Sequence, residues 1–127
     1  MKNKITLAAA GLLGLVFIVF GLNFFLNFIP MPSPPEDSAA AAFMGAMYST
    51  GYLTLVKILE ITGGILVAIP KTRNIGLLLI GPIVINILAF NVFIAPGGYT
   101  QPPVILVCAL SAFLLWSARA SFAKLIN

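Results

Sequence analysis

The stretch from Ile75 to Ile94, IGLLLIGPIVINILAFNVFI, runs for twenty residues without a charged side chain. As a helix rising 1.5 Å per residue it is about 30 Å long, the thickness of the hydrocarbon core of a bilayer. The whole chain has 127 residues, of which 61% are hydrophobic and 8% charged, with a mean hydropathy of +1.11. An ordinary soluble domain is about 25% charged. A chain this short cannot bury so much apolar surface within itself, so lipid is the expected solvent for much of it. The expected fold is therefore an all-α integral membrane protein. It has one domain over residues 1–127, four transmembrane helices over about 5–29, 50–69, 75–94 and 103–120, and a short interfacial helix between the first and second spans.

Met1 to Lys4 carries Lys2 and Lys4, and the apolar run from Ile5 to Ile29 follows. A signal peptide's apolar region is about 7–15 residues, so this longer run reads as an uncleaved first span. Ala10, Gly14 and Gly21 put small residues along one face of it, which suits close helix approach. The prolines of PMPSPPEDS (Pro30 to Ser38) forbid helix. Asp37 or Ser38 is placed to cap a short helix over Ala39 to Tyr48, and Ser49 to Gly51 mark a bend. The second span carries Lys57 and Glu60, three apart and so on one face. Pro70 to Asn74 is a turn, APGGYTQPP (Ala95 to Pro103) a second loop, and Trp116 an interfacial aromatic near the end of the fourth span.

Basic residues fall on alternate connections: Lys2 and Lys4 before the first span, Lys71 and Arg73 in the second turn, Arg119 and Lys124 after the last span. Neither proline-rich loop has any. Cytoplasmic segments collect lysine and arginine, which predicts a cytoplasmic membrane protein with both termini inside and Glu36 and Asp37 outside.

That topology converts position into depth. Asn23 is expected roughly 9 Å below the outer boundary, Lys57 and Asn86 about 12 Å, Glu60 about 16 Å, and Asn27 and Asn91 within about 5 Å. The six polar residues thus gather in the outer half of the membrane. Lys57 and Glu60 are expected to pair and face inward. Asn86 and Asn91 are about 140° apart on a helix, so only one can face inward, and Asn86 is the expected one. One reading of these residues is glue between helices. Another is a polar pocket that binds a small molecule or a quinone head group. A third is a small transporter with a proton or ion path, which needs a polar inner half that the sequence does not show.

The chain has no histidine and one cysteine, Cys108. That excludes bis-histidine haem, the usual zinc sites, the two-histidine iron site and a Ser-His-Asp triad, and it points away from an enzyme. No metal site is expected. Met31, Met44 and Met47 could attract Cu(I), but interfacial packing accounts for them. Cys108 reads as a small packing residue. Seven basic residues spread along the chain make no nucleic-acid footprint. The expected partners are the bilayer and either another membrane protein or a second copy of the chain.

FGLNFFLNFIPMP (Phe20 to Pro32), the helix with Tyr52, Leu53, Glu60 and Gly64, and GPIVINILAFNVFIAPGG (Gly81 to Gly98) resemble the DoxX family of small four-helix membrane proteins. The resemblance covers most of the chain, although family members often have histidine where this chain has Asn91. It implies the four-helix fold and a bacterial inner-membrane address. The family is named for a subunit associated with a thiosulfate:quinone oxidoreductase, so the resemblance also implies a quinone-linked accessory role.

Overall fold

The computed structural model describes residues 2–30, 33–95 and 97–125. Most of these residues are helical, and no strand occurs among them. The long helices are α1 (Lys2–Leu26), α3 (Tyr52–Ala68), α4 (Arg73–Ala89) and α5 (Pro102–Ser117). The shorter ones are α2 (Ala39–Ser49) and α6 (Arg119–Ala123). A π-helical turn, Phe90–Ile94, continues α4, and 3₁₀ turns occupy Pro70–Thr72 and Gly98–Thr100.

Among the described residues two helical stretches, Lys4–Leu26 and Pro70–Ile94, are long and apolar enough to cross a membrane. A third is added if α2 and α3, bent by 83° at their junction, count as one. The 16 residues of α5 make a shorter apolar helix. Large apolar side chains point outward on every long helix, among them Leu15, Leu55, Ile65, Ile85 and Ile105. Soluble proteins keep such exposure to small patches, so this apolar surface is consistent with a place in a membrane.

Local chemistry sets the helix ends. Ser38 caps α2, its Oγ accepting from the Ala41 N–H at 3.1 Å. Gly51, at φ +82°, makes the sharp turn from α2 into α3. At the far end of α3 the turn folds back on the last carbonyls, which have no partner within the helix. Thr72 Oγ1 donates to Leu66 O at 2.8 Å and Arg73 Nε donates to Val67 O at 3.0 Å.

The core is shared by four helices. Ala10, Leu13 and Phe17 come from α1, Val67 from α3, Leu77, Ile80 and Val84 from α4, and Val107 and Leu114 from α5. The closest approach joins α1 and α3 at Gly14 and Gly64. A Cβ on Gly14 would lie 2.5 Å from Gly64 O, and one on Gly64 would lie 2.8 Å from Gly14 O. The expectation that small residues on the first helix serve close contact is met there. Contact between α3 and α4 works the same way: a Cβ on Gly76 would lie 2.6 Å from Val67 N, and one on Gly63 would collide with Ile80. Close backbone approach of this kind brings many atoms into dispersion contact across the two helices.

At one end α2 lies across the helices. Phe43 meets the Phe90 ring of the π turn at 5.2 Å, and Tyr48 meets Phe24 of α1 at 5.9 Å. The other end gathers the start of α1, the Pro70–Arg73 turn and the end of α5, where Thr6, Pro70, Arg73, Leu114, Ser117 and Ala118 line one cleft. The basic segments that the sequence puts on alternate connections therefore converge at this end.

Candidate functional site

The six polar residues singled out by sequence separate into three local arrangements. The first is the ion pair on α3. Lys57 Nζ donates to Glu60 Oε1 at 3.4 Å, one turn along the helix. Glu60 is 5% exposed and Lys57 half-buried. A buried carboxylate has to be paired, and here its cation comes from its own helix. The expected pairing and inward placement are both observed. Lys57 Nζ has two further N–H groups, and Glu60 keeps its second oxygen.

The second arrangement ends α1. Asn23 is 5% exposed, and its side chain does not reach across to another helix. It reaches six residues down its own chain: Nδ2 donates to Ile29 O at 3.0 Å, and Oδ1 accepts from Ile29 N–H at 2.6 Å. Asn27 has φ +54°, and its N–H donates to Asn23 O at 2.8 Å. This is a helix ended by a left-handed residue, a role asparagine fills where glycine is absent. The two asparagines thus turn the chain at the end of α1. The side-chain bonds of Asn23 go to local backbone, and Asn27 takes part through its main-chain N–H, so neither is joined to the other polar residues.

The third arrangement lies on α4 and corrects a second expectation. Asn86 is exposed on the outer face of α4, and Asn91 is half-buried. Each amide turns back on its own helix. Asn86 Nδ2 donates to Pro82 O at 3.0 Å and Asn91 Nδ2 donates to Ile87 O at 2.7 Å. The buried stripe of α4 runs through Leu77, Ile80 and Val84, which puts Asn86 on the opposite side and Asn91 near the stripe at the helical repeat. Asn91 sits in the π turn, where Ala95 N–H donates to Phe90 O at 2.8 Å. The extra residue in such a turn rotates everything beyond it relative to an ideal α-helix. Asn91 Oδ1 then packs directly on Gly98 in the following loop, leaving no room there for a Cβ.

Among the described residues, no hydrogen bond joins any of these asparagines to Lys57 or Glu60. Local bonding of asparagine to backbone four residues earlier is a common alternative to helix-to-helix bonding, and it is legible only once the backbone is known. Met44 and Met47 are half-buried on α2, Met31 lies outside the described residues, and Cys108 packs half-buried against the core.

The basic end of the molecule received less weight in the sequence than it carries in the structure. Arg119 stacks over Trp116, with its guanidinium carbon 4.2 Å from the ring centre, and Arg119 Nη1 donates to Trp116 O at 2.8 Å. No family model, no curated protein and no solved structure matches the chain.

Proposed function

We propose that the protein is a four-span membrane protein of the DoxX type, acting as a non-catalytic accessory subunit of a bacterial inner-membrane redox or envelope system. One observation carries the reading: Asn86 is exposed on the apolar face of α4, flanked by exposed Ile85 and Leu88. Its Nδ2 bonds to Pro82 O, which leaves Oδ1 as an acceptor facing outward. In hydrocarbon an acceptor without a donor is costly. A helix of a partner protein carrying a donor offsets that cost by about 0.6 kcal/mol per bond, and by up to about 1.7. The side chains of Asn23, Asn86 and Asn91 bond to local backbone, which favours an interaction role over a catalytic one.

The convergence of Lys4, Lys71, Arg73, Arg119 and Lys124 toward one end supports the cytoplasmic placement of both termini. The fourth span is the short α5, with Arg119 and Lys124 long enough to reach the interface.

Extraction from native membranes in a mild detergent tests the reading. The wild-type chain is expected to migrate as a complex with a second membrane protein, and Asn86→Leu to release it as the free chain. A wild-type chain that leaves its native membrane alone contradicts the proposal.

A second reading has its own support. Lys57 and Glu60 keep spare hydrogen-bonding capacity inside the helices, beneath α2. A quinone head group or another small polar molecule entering there would find a donor and an acceptor one turn apart. Mass spectrometry of lipid extracts from the purified wild-type protein and from Lys57→Met tests it: a molecule retained only by the wild type supports a ligand site, and equal extracts contradict it.

A further inference from the structure

The cleft at the basic end has chemistry that neither reading above uses. Its volume is about 340 Å³, and its lining includes Thr6, Arg73, Asn74 and Ser117. These four side chains offer two hydroxyls, an amide and a guanidinium, and the lining contains no carboxylate. Arg73 divides its donors. Nε is committed to Val67 O at 3.0 Å, whereas Nη2 is buried with no hydrogen-bond partner and meets a ligand only when the guanidinium turns toward the cleft that Arg73 lines. An arginine arm left unsatisfied in a buried position is costly. Its planar fork matches the oxygens of phosphate. Arg73 is also the first residue of α4, so the positive end of a 17-residue helix faces the same region.

We propose that this cleft binds a phosphate group, with Arg73 supplying charge and Thr6, Asn74 and Ser117 supplying the surrounding hydrogen bonds. Two sources carry this chemistry: the phosphodiester of an anionic glycerophospholipid and free inorganic phosphate. The site lies at the end of the helices where Lys4, Lys71 and Lys124 add to the local positive potential. Trp116 and Arg119 stand beside it on α5 and at the start of α6. An occupied site would tie the α3–α4 turn to the start of α1 and the end of α5, all three of which line the cleft.

The test uses the full chain, purified in a neutral detergent and stripped of lipid. Its thermal unfolding is followed by the fluorescence of Trp116, the single tryptophan. Three probes are titrated separately: inorganic phosphate, short-chain phosphatidylglycerol, and a diacyl glycolipid without phosphate. A saturable rise in midpoint is expected with phosphatidylglycerol, with inorganic phosphate or with both, and none with the glycolipid. The pattern identifies the source: response to the lipid alone assigns a headgroup site, and response to inorganic phosphate assigns a free-anion site. Arg73→Gln is expected to weaken the apparent affinity about tenfold or more, the factor carried by one charge-assisted hydrogen bond. Because Arg73 also caps α3, Ser117→Ala and Thr6→Val provide independent variants, each expected to weaken binding several-fold while the unliganded midpoint stays near wild type. No saturable response to either phosphate probe, or a response that all three substitutions leave unchanged, overturns the proposal.

Discussion

Asn23 holds both main-chain groups of Ile29 with its side-chain amide, Nδ2 donating to Ile29 O at 3.0 Å and Oδ1 accepting from the Ile29 N–H at 2.6 Å. The pair makes a bridge of the kind two strands make, built from one side chain and one residue of backbone. It keeps Ile29 close to α1 after the helix has ended at Leu26, with Asn27 in the left-handed region between them. Two buried polar groups are satisfied without any help from another helix.

This bridge makes Asn23 a stability residue. Asn23→Leu removes both bonds and leaves the N–H and C=O of Ile29 without those partners, at an expected cost of about 2–3 kcal/mol. Asn27→Gly is expected to be near neutral, since glycine accepts the same backbone angles, whereas Asn27→Val should cost about 1–2 kcal/mol. Unfolding in mixed detergent, followed by circular dichroism, measures all three. A ligand-site role would instead leave stability unchanged in Asn23→Leu.

Much of the helical layout is legible in the sequence. The loop prolines, Ser38 and the Ser49–Gly51 bend locate α2 and the start of α3 almost to the residue. Apolar run length overstates α1, because Asn27 ends it where hydropathy continues through Phe28 and Ile29. The Lys57–Glu60 pair follows from spacing alone. Side-chain direction on α4 does not, because an all-apolar helix does not mark which stripe is buried; it runs through Leu77, Ile80 and Val84, opposite Asn86. Nor does spacing reveal that an amide satisfies itself on the preceding turn, as Asn86 does on Pro82 and Asn91 on Ile87.

The ion pair gives a prediction of opposite signs for single and double changes. Lys57→Met leaves the Glu60 carboxylate buried without its cation, at an expected cost of about 3–5 kcal/mol. Adding Glu60→Met removes the stranded charge and is expected to recover most of that loss. A double-mutant cycle in unfolding free energy reads the coupling directly. Additive losses would mean that the pair does not act as a unit.

The contact between α1 and α3 has almost no slack at Gly14. Gly14→Ala would drive its methyl against Gly64 O and Ala68, for an expected loss of about 1–3 kcal/mol. Gly11, on the same helix, has nothing within 4 Å of its would-be Cβ. Gly11→Ala should therefore be neutral, or stabilising by up to about 1 kcal/mol through helix propensity. Thermal midpoints of the two variants in the same detergent separate packing from propensity.

Gly98 and Asn91 form a pair that can be changed from either side. Gly98→Ala places a methyl where Asn91 Oδ1 now sits, so the Gly97–Gln101 loop is expected to shift away from α4. Combining it with Asn91→Ala should restore the loop. Protease susceptibility of the loop in reconstituted protein follows both changes. Equal cleavage of wild type and Gly98→Ala would contradict the contact.

The outward face of α4 carries the proposed accessory role, and site-specific photocrosslinking in native membranes tests it most directly. A photoreactive residue is introduced singly at position 86, and at the exposed positions of Leu12 on α1 and Ile58 on α3 for comparison. Position 86 is expected to give one discrete adduct heavier than two copies of this 13.5 kDa chain, and positions 12 and 58 are expected to give none. An absence of adduct at 86, or the same diffuse products at all three positions, would mean that α4 faces only lipid and that the accessory role is wrong.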